Sequence, residues 1–232
     1  MLSEAGFGAS SWLRAIPAKW ELQICNVDFR ICMQWWLHLP LPVLRKSPAR
    51  CYCWRHNNPD GAAAVADVFG EHDMACKHHD TLHRHNLVCG ALLRVARLCG
   101  LSARQATVTD LQSPAGSGAD DADRSKKQPD VVWTDWHNHG DDDLVDVCVS
   151  HPTAASHIGC YSRSVGAGVV AAKIEGAKNS KYGAQAEALG YHFTPFGLET
   201  YGTWGPHAVE ALGKLVQHAE ATAHDNTHAN YG

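Results

Sequence analysis

Pro129-Asp130-Val131-Val132-Trp133 and Leu144-Val145-Asp146-Val147-Cys148-Val149 are the two stretches on which the fold turns. Both are short and rich in β-branched and aromatic residues, and the polar, glycine-containing segment from Thr134 to Asp143 joins them, so they read as antiparallel neighbours. Side chains alternate faces along a strand. Asp146 therefore shares a face with Leu144 and Cys148, while Val145, Val147 and Val149 point the other way. A carboxylate in the middle of so apolar a strand is unfavourable to bury unless it is paired or holds a cation. If Asp130 faces the same way on the adjacent strand, two carboxylates converge. Hard oxygen donors of this kind hold Mg2+ or Mn2+, with water and a phosphate oxygen completing the shell, which is the arrangement of a hydrolytic phosphodiesterase. The competing reading is an edge-strand Asp146 that faces solvent.

Before these strands, Leu82, Val88, Cys89, Leu92, Val95, Ala96 and Cys99 recur at steps of three and four. This spacing predicts a helix over Thr81 to Cys99, capped by Asp80 or Thr81 and stopped at Gly100. Residues 112–128 carry Pro, Gly, Ser and mixed charge with almost nothing apolar, and are expected to be a mobile loop. After the strands, the Ala-rich stretch from Gly168 to Leu189 predicts a helix stopped by Gly190. A short strand over Tyr191 to Phe196 follows, then a helix opened by Pro206 and running to about Ala219. The order helix, strand, strand, helix, strand, helix predicts an α/β fold, a small mixed sheet flanked by helices.

The rest of the chain is organised around this unit. Residues 1–48 are expected to form a helical linker, with Val27, Ile31, Trp35 and Leu39 at helical spacing until Pro40 and Pro42 end the run. Residues 49–79 contain a Cys/His cluster, residues 80–205 the α/β domain, and residues 206–232 a closing helix and polar tail. A chain of 232 residues is long enough to bury a substantial core. Its formal charge of −4 gives no global attraction to nucleic acid, so any such binding rests on local Lys and Arg clusters. Nine scattered cysteines and no apolar leader point to a reduced, intracellular setting. The longest apolar run, Trp35 to Leu44, is broken by His38, Pro40 and Pro42 and falls short of the ~20 residues that span a bilayer. No membrane role is expected.

Three further constellations can bear chemistry. Cys51-x-Cys53 and His72-x3-Cys76 supply three thiolates and an imidazole, a tetrahedral donor set suited to Zn2+, with His78 and His79 as substitutes for His72. Unliganded thiols beside a polar loop are the alternative. Lys173, Lys178 and Lys181 lie on the Ala-rich helix, where Lys178 shares a face with Lys181 and with Tyr182. A lysine there can stabilise the charge that builds on a phosphate, or simply form a solvated helix face. Arg84 and His85, early in the preceding helix, can contact a phosphate or support the carboxylates.

In this order, Cys51-x-Cys53 with Gly70-Glu71-His72-x3-Cys76-Lys77, Arg84-His85-Asn86, Pro129-Asp130, Asp146-Val147-Cys148-Val149 with Pro152, Lys178-Asn179-Ser180-Lys181-Tyr182, and Phe193-x-Pro195 through Glu199-Thr200-Tyr201-Gly202-x-Trp204 resemble a known family. It is the C-terminal restriction-like endonuclease region of non-LTR retrotransposon polyproteins, part of the PD-(D/E)XK nuclease superfamily. Ser11-Trp12-Leu13, Pro17 and Phe29 are similar to the segment that links such a region to a reverse transcriptase.

The resemblance implies a CCHC zinc knuckle, with structural Zn2+ on Cys51, Cys53, His72 and Cys76, leading into a nuclease that nicks target DNA so that reverse transcription can prime from the freed 3′ end. It implies Asp130 and Asp146 as ligands of Mg2+ or Mn2+, and Lys178 or Lys181 as the catalytic lysine. Arg84, His85, Lys173 and Tyr182 are then candidate nucleic-acid contacts. Target DNA and element RNA are the implied partners, a reverse-transcriptase domain is implied upstream, and the nucleus is the implied location. The sequence departs from the superfamily at Cys148, which stands where a lysine usually follows the second carboxylate by two residues. It also holds no Tyr-x-Asp-Asp-like polymerase motif. The alternatives are a remnant that binds nucleic acid without cutting, through the knuckle and the clusters Arg45-Lys46, Lys126-Lys127 and Lys178 with Lys181, and an inert translation product.

Overall fold

The computed structural model describes residues 6–14, 23–46, 67–76, 81–111, 128–137, 140–154, 156–160 and 166–229. They fall into two compact units, one drawn from residues 1–83, 150–169 and 199–203, the other from residues 84–149, 170–198 and 204–232. No helix among the described residues is long and apolar enough to cross a membrane.

The first unit contains α1 (Ser11–Arg14), α2 (Asn26–Trp36), α3 (Pro42–Lys46) and α4 (Glu71–Ala75). Helix α2 occupies the stretch where helical spacing is read and stops before Pro40. The Asp67 carboxylate organises the start of α4, accepting the N–H groups of Phe69, Glu71 and His72 at 2.9, 3.1 and 2.6 Å. This satisfies donors that a helix start leaves without intrahelical partners. The Trp35 ring stacks on Tyr201, with centroids 4.5 Å apart.

The second unit is built on a four-stranded mixed sheet in the order β1 (Ser102–Gln105), β2 (Val131–His137), β3 (Asp141–Ser150), β4 (His192–Glu199). Strands β1 and β2 are antiparallel, as are β2 and β3, with Val131 opposite Val145, Val132 opposite Leu144 and Trp133 opposite Asp143. Around it lie α5 (Thr81–Leu98), α6 (Val169–Ala188) and α7 (Pro206–Ala229). The pairing expected of the two apolar runs is therefore present. Strand β1 is an addition to the expected order, and α7 continues past Ala219.

Alternation along the strands divides the core into two layers. Val131, Trp133, Val145 and Val147 pack with Leu92 and Ala96 of α5 and with Ala208, Ala211 and Leu215 of α7. Val132 and Leu144 pack on the opposite side with Ala106, Leu111 and Ala186, the last from α6. Removing a Leu or Val of this kind from water contributes roughly 1.5–3 kcal/mol each. The layers thus hold β2 and β3 in one register, since a slip of one residue would turn every side chain to the wrong face.

Glu175 is fully buried in α6, and its role does not follow from helical spacing. One carboxylate oxygen accepts the N–H groups of Gly197 at 2.9 Å and Ala208 at 3.0 Å, and the other accepts His207 N–H at 3.0 Å. A buried anion thereby caps the start of α7 and ties it to β4 and α6, where the helix dipole favours negative charge. The approach requires glycine at position 205, because a Cβ there would lie 2.3 Å from the Glu175 carboxylate. Replacing Glu175→Ala strands three N–H groups, and unsatisfied buried donors cost about 1–3 kcal/mol each. Urea denaturation should show a loss of at least about 3 kcal/mol; a loss under about 1 kcal/mol would mean the carboxylate does not hold these elements together.

Candidate active site

Asp130 immediately precedes β2, whose first residue Val131 pairs with Val145, and its carboxyl group interacts directly with that of Asp146 on β3. Asp130 lies in a bend at the start of β2 and is fixed from both sides by main chain: its N–H donates to the Val145 carbonyl at 3.0 Å, and its carboxylate accepts Val147 N–H at 2.7 Å. Asp146 sits on the Leu144 side of β3 and is only 4% exposed. The convergence of the two carboxylates is what strand alternation leads one to expect, and the solvent-facing alternative for Asp146 is excluded by its burial.

Each carboxylate has a cationic partner from a different helix. Lys178 of α6 reaches Asp146, with Nζ 2.7 Å from Oδ2. His85 of α5 reaches Asp130, with Nε2 3.0 Å from Oδ2. The Asp130 contact, and after it the Cys89 contact, raise the His85 pKa to about 11 against the effect of burial, so the ring is an imidazolium at neutral pH. Burial pushes the Asp146 carboxyl above the usual carboxylate range; Lys178 opposes this shift and Asp130 adds to it. Burial also works against the Lys178 charge, but the neighbouring Asp146 outweighs it and holds the ammonium protonated.

Of the two candidate lysines, it is Lys178 that stands at the carboxylates. Lys181 lies 4.9 Å from the centre of the Tyr182 ring, and Lys178 lies 5.3 Å from it on its way to Asp146. Tyr182 is buried and meets Phe193 edge-on. Lys173 is exposed, and five residues before Lys178 it lies about 140° round the helix. Arg84 is half-buried at the start of α5. Cys148, two residues after Asp146, is a neutral thiol, since burial pushes its pKa up to about 12.

Two donor sets here suit a cation. Asp130 and Asp146 offer hard carboxylate oxygens, and His85, Cys89 and Asp130 bring nitrogen, sulfur and oxygen donors within 4.8 Å of one another. Of the expected zinc knuckle, Cys51 and Cys53 lie outside the described residues. His72 lies in α4 and Cys76 follows it, buried, with its N–H on the His72 carbonyl at 2.8 Å. Of the expected loop over residues 112–128, all but Gln128 lie outside the described residues; the Gln128 side-chain amide donates to the Ala106 carbonyl at 2.9 Å.

Two further acidic centres escape a reading by spacing. In the first unit, Glu71 accepts hydrogen bonds from Thr153 and Tyr201 and contacts His151 Nε2 at 2.9 Å. Burial alone would raise its pKa, but the bonds from His151, Thr153 and Tyr201 prevail and lower it to about 2. The only sequence signal is that Glu71, Pro152 and Tyr201 all fall within the motifs of the resemblance. In the second unit, Asp143 is 1% exposed, accepts a hydrogen bond from the Thr194 hydroxyl at 2.7 Å, and borders a cavity of about 240 Å3 shared with Trp136, His207, Glu210 and Lys214.

Compared with known proteins, the chain matches no protein-family model and no curated protein.

Asp143 yields a pH prediction. Burial raises its pKa to about 6 from 3.8, with Thr194 opposing the shift. The folded state therefore favours the protonated acid, and stability falls as pH rises from about 4 through about 6. Asp143→Asn should be more stable than the parent at pH 7.5 by up to about 3 kcal/mol and indistinguishable from it below pH 4. Chemical denaturation at both pH values tests this, and an Asn variant less stable at pH 7.5 would refute it.

Proposed function

We propose that the sheet unit is a metal-dependent DNA endonuclease of restriction-endonuclease-like fold, the nicking module of a non-LTR retrotransposon, as the ordered motifs suggest. The observation that carries this reading is the apposition of Asp130 and Asp146 across β2 and β3 with the Lys178 ammonium 2.7 Å from Asp146. Two carboxylates from neighbouring inner strands of an apolar sheet, met by a lysine, supply the donors and the charge that phosphodiester hydrolysis needs.

In this proposal Asp130 and Asp146 hold Mg2+ or Mn2+, and their hard oxygen donors fit such an ion. When bound, the ion supplies Lewis acidity toward a phosphate oxygen and toward an attacking water. Lys178 places a second positive charge where negative charge grows on the phosphate, and its contact with Asp146 sets its position. His85 orients Asp130 through Nε2, helped by Val147 N–H on the same oxygen. Arg84 and Lys181 are proposed to meet the DNA backbone, whereas Tyr182, which is buried, and Lys173, which is turned away from Lys178, are not; Cys51, Cys53, His72 and Cys76 are proposed to hold structural Zn2+. The proposed partners are target DNA, element RNA and a reverse-transcriptase domain, acting in the nucleus.

A second reading is a nucleic-acid-binding remnant that does not cut. It is favoured by the pairing of both carboxylates with protein cations, since a His–Asp and a Lys–Asp pair is also how a structural ion network neutralises buried charge. Supercoiled plasmid separates the two. Under the nuclease reading the full chain nicks plasmid only with Mg2+ or Mn2+, and Asp130→Ala or Asp146→Asn lowers the rate by about 100-fold or more. Salt-sensitive DNA binding with no metal-dependent nicking at all would leave the remnant.

A further inference from the structure

We propose that His85, Cys89 and Asp130 form a binding site for a divalent transition metal of the zinc class, and that its occupation withdraws Asp130 from the nicking site. The metal-binding half rests on geometry alone; the inhibitory half rests on the nuclease reading above.

His85 and Cys89 are four residues apart on α5, so they project from one face of the helix, one turn apart. Asp130 meets that face from the start of β2. His85 Nε2 is 3.0 Å from Asp130 Oδ2, and Cys89 Sγ is 3.7 Å from His85 Nδ1 and 3.9 Å from Nε2. The edges of a tetrahedral zinc shell are about 3.3 Å between nitrogen and oxygen and about 3.5 Å between sulfur and nitrogen, from bonds of roughly 2.0–2.3 Å. The nitrogen–oxygen separation is shorter than this and both sulfur–nitrogen separations are longer, while all three donor atoms lie within 4.8 Å of one another, so side-chain adjustments can close the shell. All three residues are half-buried, which reduces competition from water while leaving the fourth position to a solvent molecule.

The donor types decide the ion. A thiolate and an imidazole select Zn2+ or Co2+ over Mg2+, which prefers oxygen ligands. Asp130 is common to both donor sets. Bound Zn2+ would take as a ligand the Asp130 Oδ2 that His85 otherwise only orients, and would place a second dication beside Asp146, so the carboxylate pair is less able to hold Mg2+. The site would therefore make nicking sensitive to zinc in the presence of abundant magnesium.

Co2+ titration of the reduced, metal-stripped full chain tests the binding. The wild type should take up one more thiolate-ligated equivalent, read from sulfur-to-cobalt charge-transfer absorption, than Cys89→Ser, in which any knuckle site is untouched. Equal uptake by the two chains overturns the site. Should the variant fold poorly by circular dichroism, alkylation of Cys89 in the wild type replaces it. Zn2+ should slow iodoacetamide labelling of that residue by about tenfold while Mg2+ does not, because a metal-held thiolate is removed from reaction. Equal labelling with and without Zn2+ overturns the site as well. In nicking assays, Zn2+ added over Mg2+ should slow the wild type by about tenfold and Cys89→Ser by no more than about twofold. Equal inhibition of both overturns the regulatory half, whereas a chain that binds Co2+ through Cys89 but never nicks DNA overturns the nuclease reading and leaves the metal site standing.

Discussion

Two carboxylates held side by side on the inner strands of an apolar sheet set the terms for everything around them. Asp130 and Asp146 face each other because β2 and β3 pair in a single register, and that register is enforced by the two core layers in which Val131, Trp133, Val145 and Val147 bury one way and Val132 and Leu144 the other. Like charges so placed repel, and Asp146 is also cut off from water. The arrangement persists because α5 delivers His85 to one carboxylate and α6 delivers Lys178 to the other. The helices flanking the sheet thus pack a core and supply counter-charges to one place.

Much of this was legible in the chain. The alternation within Leu144 to Val149 put Asp146 on the Leu144 face, and the structure buries it there. The three- and four-residue steps located α5, and Gly100 and Gly190, both in the left-handed region, follow α5 and α6 where they were expected to. What spacing left open was the choice between Lys178 and Lys181. Three residues apart on one helix, they differ by less than a turn, and only the position of β3 shows that Lys178 has an acid within reach. Strand β1 was invisible for a different reason. Ser102-Ala103-Arg104-Gln105 is an edge strand with one buried residue, Ala103, so it carries neither alternation nor an apolar run.

The buried acids show the limit most clearly. Glu175 sits among Lys173, Lys178 and Lys181 on a helix that reads as a solvated face, yet it is fully buried. Its partners are main-chain N–H groups of residues more than twenty positions away, and the glycine that admits it, Gly205, has no local signature of that task. Glu71 and one oxygen of Asp143 likewise find distant hydroxyl groups, from Tyr201 and Thr194, while the other Asp143 oxygen is buried without a partner. Sequence periodicity reports which side of an element is apolar. It does not report where a polar group will find its partner.

The central claim is that Lys178, through its contact with Asp146, belongs to the same site as the paired carboxylates, while Lys181 does not. The most direct test is the single-turnover nicking rate of Lys178→Ala and Lys181→Ala at saturating Mg2+. The account predicts that loss of Lys178 slows strand scission by about 100-fold or more, while loss of Lys181 changes it by no more than about threefold. Equal rates for the two variants, or a larger loss for Lys181, would contradict it.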